Sequence, residues 1–187
     1  QALGDRILAD IADTVDDLRD RMLRCSFRDC NFSDSAAMCV GFVVDLAEYE
    51  RAPEAVVSTA DMLRHALFPT DEQAHVWAHV VVDPDDPKRL AGAAIWHLNF
   101  STWEGHHGIY VEDIYVRPEL RGSGFGRALL ASLAKICFER GYPRLQWSVL
   151  DWNTPSLDFY RNLGAQPLEE WVGYRLQGNE LTELASG

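Results

Sequence analysis

Residues 109–126 read Ile-Tyr-Val-Glu-Asp-Ile-Tyr-Val-Arg-Pro-Glu-Leu-Arg-Gly-Ser-Gly-Phe-Gly, and this stretch decides the fold. Ile109 to Val116 is rich in β-branched and aromatic residues and predicts a strand. Strict alternation puts Tyr110, Glu112 and Ile114 on one face and Val111, Asp113 and Tyr115 on the other. The strand runs into Arg121-Gly122-Ser123-Gly124-Phe125-Gly126-Arg127, where three glycines fall in five residues. Beyond it Leu129, Leu130, Leu133, Ile136 and Cys137 recur at helical spacing, Gly141 stops the helix, and Pro143 prevents its continuation. A strand, a glycine turn and a helix start bring unpaired N–H groups and the positive end of a helix dipole to one point. That point suits a phosphate or pyrophosphate, and Arg121 and Arg127 add positive charge. The plain alternative is a tight turn that holds nothing.

Working outward, Ala74–Asp83 and Leu90–Phe100 predict two more strands, joined by the turn Asp83-Pro84-Asp85-Asp86-Pro87. Leu145–Leu150 predicts a strand after the long helix. Thr154 is a good N-cap with Pro155 at the first helical position, for a helix carrying Leu157, Phe159, Tyr160 and Leu163 and ending at Gly164. Trp171–Leu176 predicts a last strand. Upstream, Ser33 or Ser35 caps a helix over Ala36–Tyr49 that ends before Pro53, and Ser58 opens a shorter one to Ala66. Residues 23–30 alternate as a short strand does. Residues 1–22 carry an amphipathic stripe of Leu3, Ile7, Leu8, Ile11, Val15, Leu18 and Met22. The reading is α/β with a largely antiparallel mixed sheet, organised as a helical extension at 1–22 and one domain at 23–187.

The chain has 187 residues, enough for one domain with a continuous core. Seventeen Lys and Arg against 29 Asp and Glu give a net charge of -12. A phosphate backbone and an anionic membrane surface repel such a chain, so neither nucleic acid nor membrane is an expected partner. An acidic cleft suits a cationic substrate. No apolar run reaches the ~18 residues a membrane span needs. Asp5, Asp10 and Asp13 break up the start where a secretory signal is apolar, so a cytoplasmic protein is expected. Cys25, Cys30, Cys39 and Cys137 match no zinc spacing and read as reduced thiols, with no metal expected.

Two phosphate-binding patterns fail on particular residues. A nucleotide-triphosphate loop needs a Gly-Lys-Ser/Thr ending, and no Lys is present here. The dinucleotide fingerprint needs glycine where Arg127 stands, and needs an opening βαβ unit. The pattern met by Arg121, Gly124 and Gly126, Arg/Gln-x-x-Gly-x-Gly/Ala, resembles motif A of the GNAT superfamily of acyl-CoA N-acetyltransferases. The segment Asn153–Gly164 resembles that family's motif B. Further segments are similar to its diamine (spermidine/spermine) acetyltransferase branch: Leu46–Glu50, Ser101–Gly105, Tyr110–Val116, Leu150–Asn153 and Leu163–Gln166. Their wording is nearer to the thialysine-acetylating members.

The resemblance implies acetyl-CoA as co-substrate and roles for named positions. Ile114, Tyr115 and Val116 would pair with the pantetheine arm, the Val116 N–H facing the acetyl carbonyl. Arg121, Gly122, Ser123, Gly124, Phe125, Gly126 and Arg127 would cradle the pyrophosphate, and Asn153, Thr154 and Pro155 would flank the pantetheine. Tyr160 would protonate the departing thiolate, since a phenol and a thiol have neighbouring pKa values of about 10 and 8.5; packing beside Phe159 is its other reading. Glu112 would contact the amine and drain its proton. Asp113, Tyr49, Glu50 and Trp103 would line the amine pocket, Trp103 through an aliphatic or cation contact. The branch is dimeric, which implies a homodimer.

Departures from the pattern narrow the substrate. Ser101 and Val172 stand where polyamine enzymes carry acids, and Tyr174 replaces a Trp. Fewer spaced carboxylates favour a short amine, such as thialysine, lysine or a short diamine, over a long polyamine. A polyamine acetyltransferase, a protein acetyltransferase and a non-catalytic acetyl-CoA sensor are the competing readings. Residues 1–22 have no counterpart in the branch.

Overall fold

The computed structural model describes residues 32–70, 73–86 and 89–187, with side chains from residue 41 onward. The expected helix at 3–22 and strand at 23–30 lie outside them. The chain divides between Ser148 and Val149 into two compact units.

The first unit is built on a mixed sheet. Helices α1 (Phe32–Tyr49) and α2 (Ala60–Leu67) precede strands β1 (Val76–Val82), β2 (Leu90–Ser101) and β3 (His106–Val116). Helix α3 (Phe125–Arg140) and the short strand β4 (Leu145–Trp147) follow. The order is β1-β2-β3-β4; the first three are antiparallel neighbours, and β4 runs parallel to β3. The parallel pair exists because α3 carries the chain back across the sheet. This is the α/β, largely antiparallel mixed sheet that the sequence predicts.

Each face of the sheet has its own cover. Phe42 and Leu46 of α1 and Leu67 of α2 pack with Ala78, Ala93, Ile95 and Tyr115 on one face. Helix α3 covers the other, where Ile109, Val111, Leu129 and Leu133 are almost fully buried. Gly92 allows close approach of β2 to β3: a Cβ there would lie 2.7 Å from the Tyr115 carbonyl oxygen. Gly141 ends α3 at φ 67°, with the Tyr142 N–H bonded to the Cys137 carbonyl at 2.8 Å, the αL closure expected of a glycine stop.

The far end of the β2–β3 hairpin is held by polar groups. Arg144 pairs with Glu104 in the turn, donates to Asn99 at 3.0 Å, and donates to Gln146 at 2.9 Å. At the opposite end of the sheet, Arg117 lies 2.7 Å from Asp45 of α1 and donates to the Leu90 carbonyl. These contacts fix β3 at both ends relative to its neighbours.

The second unit contains α4 (Thr154–Asn162) and α5 (Gly178–Ser186). Several expectations are corrected by the structure. The cap of α4 is Asn153, not Thr154: the Asn153 side-chain oxygen accepts the Ser156 N–H at 3.4 Å, and Thr154 is already the first helical residue. The expected strand Trp171–Leu176 is absent: these residues form no ladder, and Trp171, Val172 and Tyr174 are exposed. Alternation alone does not make a strand; its N–H and C=O groups need a partner strand. The α5 helix was not foreseen from the sequence. In α1, Ser33 and Ser35 fall inside the helix, so neither is its cap. The α2 cap is Thr59, whose hydroxyl accepts the Met62 N–H, one residue after Ser58. Among the described residues, no helix is long and apolar enough to cross a membrane.

Candidate active site

The glycine turn has the geometry an anion needs. Gly122 and Gly124 take φ values of 82° and 85°, which L side chains rarely adopt, and beyond the adjoining residues nothing lies within 4 Å of a Cβ built at either. Gly124 is the N-cap of α3 and supplies no side-chain cap, so the first N–H groups of the helix are not capped by their own N-cap residue. Arg121 to Gly124 are exposed, while Phe125 is buried and anchors the turn. These residues fit a pyrophosphate held by backbone N–H groups.

Arg121 is placed otherwise than a freely extended phosphate ligand. Its Nε donates to the Val116 carbonyl at 2.9 Å, and its guanidinium stacks 4.4 Å from the Tyr49 ring and 5.4 Å from the Tyr115 ring. Tyr49 and Tyr115 meet edge to face at 6.2 Å. Arg121 therefore joins the end of α1, the end of β3 and the glycine turn.

Strand β3 is not the uniform alternation the sequence suggests. Ile95 of β2 pairs with Asp113, but its neighbour Trp96 pairs with Val111, so one extra residue, Glu112, is bulged into β3. Paired residues share a face. Asp113 and Tyr115 therefore face α1 and α2, together with Tyr110, while Val111 and Ile114 face α3. The expected grouping of Val111 with Asp113 is corrected: the bulge reverses the alternation at this point. Glu112, 61% exposed, meets His97 of β2, Oε2 to Nε2 at 3.7 Å.

Three carboxylates consequently share the first unit's acidic corner: Glu50 after α1, and Glu112 and Asp113 on β3. Burial, then the nearby charge of Glu112, then that of Glu50, push the Asp113 carboxyl up to about 6. Burial also raises Glu50. Clustering like charges is costly to the fold and favourable to a bound cation. Tyr115 is raised by burial first and by Asp45, against Arg121 and Arg117.

The edge of β3 adds a second feature. Strand β4 pairs with β3 only at Ile109, Tyr110 and Val111. From Glu112 to Val116 the edge opposite β2 makes no strand pairing among the described residues. An extended ligand chain could pair there with Ile114 and Val116.

Of the remaining expected residues, Trp103 sits in the β2–β3 turn and is 89% exposed. In the second unit, Asn153 is buried at the start of α4, followed by Thr154 and Pro155 in its first turn. Tyr160 is half-buried and lies seven residues after Asn153, two turns on, so both fall on one side of the helix. Sequence reasoning did not single out His97. The signal was available only in register: His97 is opposite Tyr110, and the bulge brings Glu112 to it. Among the described residues, no group of three His, Cys, Asp or Glu is placed to hold a metal ion.

Residues 43–165 match the acetyltransferase (GNAT) family. A thialysine N-epsilon-acetyltransferase from Bos taurus is 36% identical over 147 residues, covering 75% of this chain and 86% of that protein. A human spermidine/spermine N(1)-acetyltransferase-like protein is 28% identical over 149 residues, 76% of this chain but 21% of that one. Among solved structures, an integron cassette protein from the V. cholerae mobile metagenome superposes with a TM-score of 0.65 at 27% identity, covering 79% of this chain and 90% of its own.

Proposed function

This chain belongs to the GNAT acetyltransferase family, and from that premise we propose that it transfers the acetyl group of acetyl-CoA to a small primary amine. A thialysine- or lysine-like amine or a short diamine is the preferred acceptor. The observation that carries the reading is the acidic corner made by Glu50, after α1, with Glu112 and Asp113, on a strand whose open edge leads directly into the glycine turn.

In this reading the backbone of Ile114, Tyr115 and Val116 holds the acyl arm of acetyl-CoA, and the Val116 N–H polarises the carbonyl. Gly122, Ser123, Gly124, Phe125, Gly126 and Arg127 hold the pyrophosphate, with Arg121 bracing the turn against Tyr49. Asn153, Thr154 and Pro155 flank the pantetheine. Glu50 and Asp113 hold the ammonium, with Tyr49 along its carbon chain; Trp103, in the turn at the far end of the hairpin about 20 Å along the strands from Asp113, is not brought to them. An alkylammonium has a pKa of about 10.4 and cannot attack until it loses a proton, which Glu112 accepts. Tyr160 returns a proton to the leaving thiolate.

Domain, assembly and location complete the proposal: a helical extension at 1–22, one catalytic domain at 23–187, a homodimer, and a cytoplasmic setting with reduced cysteines and no resident metal. A long polyamine is the second reading, supported by the human relative's name. Ser101 and Val172, where polyamine enzymes carry acids, weigh against it.

The test is thiol release from acetyl-CoA against thialysine, lysine, putrescine and spermidine. Thialysine or lysine is expected to give the highest kcat/KM, and Tyr160→Phe to lower kcat about 10- to 100-fold. Spermidine as the best substrate would reverse the preference. No turnover with any amine would replace the enzyme by an acetyl-CoA sensor.

A further inference from the structure

We infer that His97 is the proton sink behind Glu112, a positioning and relay residue that takes from the Glu112 carboxylate the proton given up by the amine. The inference rests on the amine-acetylating reading above.

Three contacts fix the imidazole. Nδ1 lies 3.2 Å from the Leu98 carbonyl oxygen, the ring packs against Tyr110 with centroids 5.3 Å apart, and Nε2 points at Glu112 Oε2 across 3.7 Å. A carbonyl oxygen can only accept, so the Leu98 contact places a proton on Nδ1. Nε2 of the neutral ring is then a bare lone pair directed at a carboxylate. Two acceptors face each other, and the arrangement is satisfied only when a proton sits between them. The separation must close by about 0.7 Å to form a hydrogen bond, a shift small for two partly exposed side chains.

The meeting occurs at the β3 bulge. Glu112 is the extra residue itself, between Val111 opposite Trp96 and Asp113 opposite Ile95, and it meets His97, which shares the face of Ile95 and Asp113. Polar and charged groups surround the ring. On β3 the groups are Glu112, Asp113 and Tyr110, whose hydroxyl lies 2.8 Å from Ser148 Oγ of the same unit. Glu50 reaches this set through its charge on Asp113. From β1 the residue opposite His97 is Val76.

The step balances without a further reactant. The ammonium nitrogen keeps the electron pair of its N–H bond when the proton passes to Glu112 and on to Nε2. That pair forms the N–C bond to the acetyl carbonyl carbon, the C–S bond breaks, and the thiolate takes a proton from Tyr160; the now cationic nitrogen gives up its second proton to solvent as the amide forms, and solvent reprotonates the phenolate. The imidazolium, partly exposed, returns its proton to water. Imidazole is suited to this because its ordinary titration falls between pH 5 and 8. Once protonated, it pairs with Glu112 and the relay stops.

A surface His–Glu contact with no such role would contribute little to stability or rate, so the pH profile decides. At saturating amine and acetyl-CoA, wild-type kcat is expected to fall on the acid side as His97 protonates. His97→Gln, which keeps a polar group but cannot titrate, is expected to lose about tenfold in kcat at pH 7.5. Its acid limb should move down by more than one pH unit, with the amine KM within about twofold. A profile coincident with wild type, or a loss confined to KM, overturns the relay. In the wild-type protein, NMR titration of the His97 imidazole should coincide with the acid limb of kcat; a mismatch overturns the inference even if the variant fails to fold. Wild-type turnover with an unmoved His97→Gln profile removes only the relay. Wild-type protein that turns over no amine removes the acetylating reading and the relay with it.

Discussion

The glycine turn at 122–126 and the acidic corner at 112–113 lie within a dozen residues of each other on one continuous stretch, yet they are built by different means. The turn is made of backbone: its donors are N–H groups, and its shape comes from two glycines at positive φ. The corner is made of side chains, and its shape comes from a mismatch between two strands. A backbone site tolerates changes of side-chain chemistry but not of conformation. A side-chain site is the reverse. Substitutions in the two places should therefore fail in different ways.

The largest effect is expected in the corner. Glu112→Gln keeps the size and the hydrogen-bonding reach but cannot take a proton, and kcat should fall about 100-fold with acetyl-CoA binding unchanged. Steady-state kinetics with both substrates varied checks this; a loss seen mainly in the acetyl-CoA KM would erase the distinction between the regions. The turn should answer in the opposite parameter. Gly124→Val forces a β-branched residue to φ 85°, so the acetyl-CoA KM should rise about 30-fold and stability fall by about 1–2 kcal/mol. Isothermal titration with acetyl-CoA and a denaturant melt measure the two separately.

The smallest effect sharpens the contrast most. Asp113→Asn should raise the amine KM about tenfold while making the protein more stable at pH 8. The sign follows from the raised carboxyl. A folded-state value of about 6 against an ordinary aspartate value of 3.8 means that Asp113 favours the fold below pH 4 and loses that contribution as pH rises through 6. Removing the ionisable group should gain about 1–2 kcal/mol at pH 8 and close to nothing at pH 3.5. Denaturant melts at the two pH values test this; equal gains at both would mean the charge is not the cause.

What could be read from the sequence follows the same division. Glycine's conformational demands are local, so Gly122, Gly124 and Gly141 could be placed from the chain alone, and the strand and helix around them followed. The bulge could not. Glu112 and Asp113 look like ordinary alternation until β2 is laid beside them, and only the register at Ile95 and Trp96 reveals the extra residue. His97 was invisible for that reason, since within Ala-Ala-Ile-Trp-His-Leu-Asn-Phe it reads, with Asn99, as a polar position in a largely apolar strand. Trp171–Leu176 failed in the other direction: its local pattern was right for a strand, but a strand is a property of two segments. The Asn153 cap was missed by one residue because Asn and Thr both serve at that position and only geometry chooses between them.

The open edge of β3 carries a cost to the free protein. Five residues of extended backbone, paired with β2 on one edge but with no strand pairing on the other among the described residues, are a template on which another chain could add a strand. Glu112 and Asp113 stand at the start of that edge. A second copy approaching in register would bring its own pair of carboxylates against these two, in a corner where burial already resists charge. The residues that attract a cation therefore also keep the edge from adhering to its own kind, and a variant stripped of both acids should be the one that aggregates.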